Sequence, residues 1–335
     1  MFFNEEQYIK EVITYSGNNG CDNSHSLNIA YGTDKNFLFG CAVSITSILI
    51  ENKDLDFSFH VFTDSFTEDD RTKFKALSEQ YNTNISIYLV NAANLKSLPE
   101  NKLWTYAIYF RFIIADYFSD KLERIVYVDS DVVCNGSIRD LSTLSLDGVV
   151  AAGVTERDES WWRQRAETLG VRQIANGYFN TGVLVINVPE WKRLDVSTLA
   201  MKSLNDQNIR SKLTYYDQDV LNMVLAGRVL FLDKIYNTQF SLNYELKKNC
   251  ENPITESTVF IHYIGPTKPW HEWAQYESSA SFINAKNMSP WCKDELMLPT
   301  NTSHNRYGAK HSFHQRLYLK GIRYYIKYFL LKIRG

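Results

Sequence analysis

Two carboxylates two positions apart, Asp129 and Asp131, close a strongly apolar run, Ile125-Val126-Tyr127-Val128. The run is short and rich in β-branched residues, as the buried strands of parallel sheets are, and it sets Asp129 at the strand's carboxyl end. Two neighbouring negative charges in such a place need a cation or a hydrogen-bond network. Ligands of open α/β sheets bind outside the carboxyl ends of strands, where paired Asp side chains can hold a divalent metal that in turn holds phosphate. The competing reading is an Asx-turn in which each Asp caps a loop.

Around this pair the chain alternates strand and helix signals. Leu27 to Tyr31 begins a first strand, Gly40 to Ile50 has mixed helical spacing, and Phe57 to Phe62 reads as a second strand, which together make a βαβ unit. An acidic helix is predicted between Thr67 and Gln80, a third strand at Ile85 to Val90, and an aromatic helix from Tyr106 to Phe118 that leads into the strand before Asp129. Further strands are predicted at Val149 to Ala152, Val183 to Ile186 and Val229 to Leu232, and a helix at Val220 to Leu225. The pattern is that of an α/β fold with a mostly parallel central sheet. Residues before Ser26 read as a loosely attached lead-in.

The chain has 335 residues and a formal net charge of −2, which suits one elaborated α/β domain and argues against a nucleic-acid binder. Cys21, Cys41, Cys134, Cys250 and Cys292 show no paired spacing, so a reducing compartment is expected. The opening Met1-Phe2-Phe3-Asn4-Glu5-Glu6 reads as neither a secretory signal nor a membrane span, and cytoplasmic residence follows as an expectation. After Glu295 acidic residues vanish. Leu319, Ile322, Ile326, Phe329, Leu330 and Ile333 recur at three- and four-residue steps opposite Lys320, Arg323 and Lys327, which describes a basic amphipathic helix suited to anionic lipid.

Five clusters complete the reading: Asn28 to Asn36, Tyr109-Phe110-Arg111, Asn180 to Asn187, Asp217-Gln218-Asp219 and His262 to Trp270. With the Asp129/Asp131 pair, their order and spacing resemble glycosyltransferase family 8 from about Leu27 to the C-terminus, and within it the lipopolysaccharide-core 1,3-galactosyl- and 1,3-glucosyltransferases. The resemblance implies a glycosyltransferase A type nucleotide-binding fold over residues 27–280, an N-terminal extension over 1–26 and a basic helical region over 281–335. It also implies a retaining enzyme that moves galactose or glucose from UDP-galactose or UDP-glucose in α-1,3 linkage to a hexose of the lipopolysaccharide outer core. Such an enzyme would be peripheral on the inner face of the bacterial inner membrane, held there through its last helix.

By the same resemblance Asp129, Asp131 and His262 are the metal ligands. An oxygen-rich shell suits Mg2+ or Mn2+, and the imidazole leans toward Mn2+. Gly32, Asp34, Asn36, Arg111, Gly265 and Lys268 are assigned to the nucleotide-sugar, while Asp217, Gln218, Arg111 and Asn180 face the transferred sugar. Asp219 reads instead as charge at a helix start. Gln218 stands where a double displacement would need a nucleophile, and an amide oxygen is a poor one, so a same-face substitution is favoured. Trp161, Trp162, Arg163 and Arg165, with Tyr178 and Trp270, form the candidate acceptor side. The alternatives are an α-1,2-hexosyltransferase of the same pathway, a nucleotidyltransferase, for which Gly32-Thr33-Asp34-Lys35 is too short a phosphate loop, and a non-catalytic sugar-binding protein.

Overall fold

The apolar runs become the inner strands of an eight-stranded sheet in a computed structural model that describes residues 1–17, 26–100 and 105–334. The strands of the chain are β1 (Ile9–Tyr15), β2 (Leu27–Thr33), β3 (Phe57–Thr63), β4 (Asn84–Val90), β5 (Arg124–Val128), β6 (Val132–Cys134), β7 (Ala151–Thr155), β8 (Phe179–Asn187), β9 (Val229–Leu232), β10 (Thr238–Phe240) and β11 (Phe260–Tyr263). The large sheet has the order β1-β4-β3-β2-β5-β8-β7-β9, and β10-β11-β6 form a smaller second sheet. β4, β3, β2 and β5 run parallel, and β8 lies antiparallel between β5 and β7. Every residue of β3 is buried, as are most of β2 and all of β5 after Arg124, which explains why apolar residues occur on both faces of these strands.

Helices cover both faces. Leu38–Glu51 packs with Phe59, Val61 and Val126 on one side, and Phe110–Tyr117 packs with Tyr127, Leu184 and Ile186 on the other. The Glu68–Tyr81 helix starts at a capping box in which Thr67 and Asp70 bond reciprocally. The aromatic segment begins as a 3-10 turn, Tyr106–Tyr109, before becoming an α-helix.

The lead-in is more firmly attached than its composition predicts. Ile9–Tyr15 pairs antiparallel with β4 as the edge strand, Phe3 is buried, and the Phe2 and Phe3 amides donate to Asp116 at 2.8 and 2.9 Å. Only Ile9, Ile13 and Tyr15 of this strand touch the core, so its alternation is too sparse to read in a polar context. Cys21 and the Asn18-Asn19-Gly20 turn signal lie outside the described residues.

The second sheet escaped the sequence reading because its strands have only three or four residues. It matters because Asp129-Ser130-Asp131 is the link from β5, in the large sheet, to β6, in the small one. Beyond it, the tail folds as two helices, Thr302–His314 and Tyr318–Arg334.

Candidate active site

The turn between β5 and β6 carries two carboxylates because each strand belongs to a different sheet. The Asp129 amide donates to the Gly182 carbonyl on β8 at 2.7 Å, and the Tyr263 amide on β11 donates to the Asp131 carbonyl at 3.0 Å. His262 pairs with Val132 across β11 and β6. These registers bring Asp129, Asp131 and His262 together, with one potential ligating atom from each within 4.8 Å of the others. Two carboxylates and an imidazole form a donor set fit for Mn2+ or Mg2+.

Inside the chain the two carboxylates are already balanced. Asp131 is paired with Lys268, whose Nζ also donates to the Tyr263 carbonyl at 2.7 Å, and His262 Nε2 lies 3.3 Å from Asp131 Oδ1. Burial raises the Asp131 carboxyl, but Lys268 and His262 hold it well below the usual carboxylate range. Asp129 accepts from Tyr127 Oη at 2.8 Å and from Arg111 Nη2 at 3.1 Å.

Arg111 is buried, contrary to what a helix-borne arginine would ordinarily do. Its guanidinium donates to the Ile108 and Thr181 carbonyls at 2.9 and 2.6 Å and covers the Tyr127 ring at 4.5 Å. Arg111 Nε also lies 3.1 Å from Asp217 Oδ2, but its N–H is directed at Ile108, so this oxygen feels the charge without a hydrogen bond. Burial pushes the Asp217 carboxyl up to about 7, with Arg111 pulling it down and Asp129 adding to the rise.

Asp217, Gln218 and Asp219 lie in the first turn of the Tyr216–Val224 helix, a few residues earlier than predicted. Asn222 fixes that helix to β8, accepting from the Phe179 amide and donating to its carbonyl, both at 2.9 Å. Gln218 then meets Asn180 Nδ2 at 3.1 Å and the Thr181 amide at 3.2 Å through its Oε1. The Asn180 and Gln218 amides thus stand beside Arg111 and the group of Asp129, Asp131 and His262. Gly182 makes this possible. A Cβ there would lie 2.3 Å from His262 Cε1 and 2.7 Å from its Nδ1.

The residues assigned to the nucleotide are more scattered in role. Asp34 Oδ1 accepts from the Asn36 amide at 2.8 Å and its Oδ2 from Thr105 at 3.0 Å, an Asx-turn after β2, with the Asn36 side chain exposed. Gly32 has a packing reason beside any ligand role, since a Cβ would sit 2.9 Å from Phe110 Cβ. Gly265 turns the loop after β11 with φ +85° and is exposed, while Lys268 is buried against Asp131.

The acceptor side needs correction. Arg165 is buried and paired with Asp219, which also accepts from Tyr178 Oη and from the Thr214 and Tyr215 amides, each at 2.7 Å, so both charges are used in holding the helix. Trp270 is buried behind the metal turn against Phe37 and Phe282. Tyr178 is also buried and tied to Gln218 and Asp219. Trp161 remains half-buried, edge-on to Tyr178 at 4.8 Å, and Arg163 is exposed.

Two buried residues were not foreseen. Glu156 accepts from Asn180 Nδ2 at 2.9 Å, and Asn237 lies between His262 Nδ1, at 3.0 Å, and Asn180 Oδ1, at 2.9 Å. Glu156 follows β7 within a charged stretch, and Asn237 precedes the short strand β10. No spacing in the sequence distinguishes either from a loop residue.

Comparison with known proteins finds relatives over the whole chain. A family profile described as Glycosyl transferase family 8 matches residues 28–274, and its C-terminal companion, Glycosyl transferase family 8 C-terminal, matches residues 276–332. The chain is 51% identical to the lipopolysaccharide glucosyltransferase WaaO of Escherichia coli K12, over 100% of its own length and 99% of that protein. It is 48% identical to the lipopolysaccharide 1,3-galactosyltransferase of Salmonella typhimurium, over 98% of each. In fold it is similar to the crystal structure of the galactosyltransferase LgtC in complex with donor and acceptor sugar analogs, with a TM-score of 0.66, 24% identity and coverage of 78% of this chain and 96% of that one.

Proposed function

The chain belongs to glycosyltransferase family 8, and on that premise we propose that it moves a galactosyl or glucosyl residue from a UDP-sugar, with retention and in α-1,3 linkage, to a hexose of the lipopolysaccharide core. The observation that carries this reading is the meeting of Asp129, Asp131 and His262 beside Arg111, Asp217 and Gln218 at the carboxyl end of the central strand β5. The α-1,3 linkage follows the 48% identical relative whose name specifies it.

Asp129, Asp131 and His262 would hold a divalent cation, Mn2+ before Mg2+ on account of the imidazole, and that ion supplies charge neutralisation on the departing diphosphate. Lys268 brings an ammonium to the same strand end, and Arg111 brings a guanidinium whose position is fixed by two carbonyls before any donor arrives. Asp217 supplies acceptors for sugar hydroxyls. Gln218 Oε1 already accepts two N–H bonds, which leaves it poorly suited to attack an anomeric carbon and supports same-face substitution.

The last helix supports a peripheral position on an anionic leaflet. Its inner stripe, Gly321 and Tyr324, docks on the chain, and Tyr324 Oη donates to Glu272 at 2.6 Å. The outer stripe of Leu319, Ile322, Ile326, Phe329 and Ile333 is exposed next to Arg323 and Lys327. Among the described residues no helix is long and apolar enough to cross a membrane.

The test is UDP release from UDP-galactose and UDP-glucose with Mn2+ or Mg2+, with and without truncated lipopolysaccharide cores. Acceptor-dependent release that chelator abolishes is expected. Release unaffected by chelator would refute the metal assignment, and no release with any core would refute the transferase reading.

A further inference from the structure

Two backbone donors fix the direction of a hydrogen-bond relay that runs from the sugar-side helix to the metal-side histidine. The Gly182 amide donates to Asn180 Oδ1 at 2.9 Å, and the Thr181 amide donates to Gln218 Oε1 at 3.2 Å. A peptide N–H cannot accept, so these contacts identify the oxygen of each side-chain amide independently of how the group is drawn. Asn180 Nδ2 is then the donor to Gln218 and Glu156. Asn237 must meet Asn180 Oδ1 with its own Nδ2, at 2.9 Å, and this turns Asn237 Oδ1 toward His262 Nδ1, at 3.0 Å. An amide oxygen only accepts, so the imidazole proton sits on Nδ1. Nδ1 is thereby committed to Asn237, and Nε2 is the ring nitrogen available to a cation.

Nε2 lies 3.3 Å from Asp131 Oδ1, so the ring nitrogen and the carboxylate oxygen converge on one place where a cation would be held by both. Asn237 is 2% exposed, so solvent cannot substitute for its amide, and the absence of a Cβ at Gly182 leaves the ring its place. We propose that Asn237 is a positioning residue, one that holds His262 as the Nδ1–H tautomer and so presents Nε2 to the divalent metal. The assignment rests on the metal site described under the proposed function. It places the metal ligand and the sugar-side amides in one rigid relay, His262 to Asn237 to Asn180 to Gln218, whose polarity originates in β8. Metal binding and sugar orientation are therefore set by the same strand.

The experiment compares Asn237→Leu, which removes both contacts, with Asn237→Asp, which still accepts from Nδ1–H but has no donor for Asn180. Mn2+ affinity is read from the free-ion EPR signal of the full chain without donor, beside melting temperature. Asn237→Leu is expected to weaken Mn2+ binding about 10–100-fold, the usual cost of losing such a partner, and Asn237→Asp to retain it. Asn237→Asp should nevertheless lower kcat for UDP-sugar, because Asn180 loses a partner. Undiminished affinity in Asn237→Leu, or equal weakening in both variants, overturns the assignment. If Asn237→Leu does not fold, 15N shifts of the wild-type His262 ring with Mg2+ decide the matter: Nε2 as the unprotonated nitrogen is expected, and Nδ1 in that role overturns it. UDP release by the wild type is scored separately. The affinity pattern without turnover would refute the transferase reading alone, and turnover without the pattern would refute this inference alone.

Discussion

At the strand-end site Arg111, Asp131, Asn180, Gln218, His262 and Lys268 are all buried and all find hydrogen-bonding or ionic partners within the chain, whereas along the last helix six large apolar residues, Leu319 through Ile333, stand between 48% and 86% exposed. The first region is polar and closed; the second is apolar and open. A buried polar network costs free energy unless every member is satisfied, so its geometry is settled by folding and awaits only a ligand of the right charge. An exposed apolar stripe gains nothing in water and acquires meaning only against a second surface. The site should therefore fail by losing chemistry, and the helix by losing place.

The sharpest way to break the closed region is Asp131→Asn, which keeps the volume but removes a charge shared by Lys268 and His262. Loss of one such electrostatic partner is expected to lower kcat on the order of 10²–10³-fold. Asp131→Ala is a poorer probe because it strands the buried ammonium of Lys268. UDP release measured beside Mn2+ affinity checks the outcome, and full turnover in Asp131→Asn would contradict the site.

Asp217 and Asp219, two residues apart on one helix, divide stability from chemistry. Asp219 accepts from Arg165, Tyr178 and two backbone amides, and an Asn there would turn an NH2 toward donors. Asp219→Asn should destabilise the fold by about 3–5 kcal/mol, read as urea midpoint or melting temperature. Asp217 is the opposite case. Its carboxyl is pushed up to about 7 from 3.8, so the unfolded chain releases that proton first, and folded stability falls as pH rises from about 4 to about 7. Asn lacks this titration. Asp217→Asn should gain stability relative to the wild type across that window while turnover falls, and a melting-temperature difference that does not change with pH would count against the assignment.

The contrast between regions also governs how much could be read beforehand. The inner strands from Leu27 to Val128 announce themselves because both faces are buried, and the Asp129/Asp131 pair stands out against Ile125 to Val128. The exposed helix was legible for the same reason in reverse, its stripes being periodic. What resisted was everything assembled from distant single residues. Asn237 and His262 are 25 positions apart, Asn222 and Phe179 are 43 apart, and Arg165 and Asp219 are 54 apart, and none of these pairs leaves a local pattern. For the same reason Arg165 and Trp270 passed for acceptor residues when each is a buried support.

The open region yields the gentler predictions. Deleting the tail would also uncover Gly308, against which Tyr324 packs, so substitutions confined to the outer stripe are cleaner. Replacing Ile322, Ile326, Phe329 and Ile333 together by Ser should abolish sedimentation with anionic vesicles and leave turnover of soluble UDP-sugar unchanged, since the docking stripe of Gly321 and Tyr324 is intact. A single Phe329→Ser removes one side chain whose burial in lipid is worth about 1.5–3 kcal/mol, and because the ring is 56% exposed rather than free, a loss of about tenfold in vesicle partition is expected. Binding by the wild type should weaken between low and high salt through screening of Arg323 and Lys327, and by the same factor in Phe329→Ser, because the charges engaged are unchanged. Vesicle binding that ignores salt, or turnover that falls with vesicle binding, would place this helix in the core and reduce its basic side to a solvated surface.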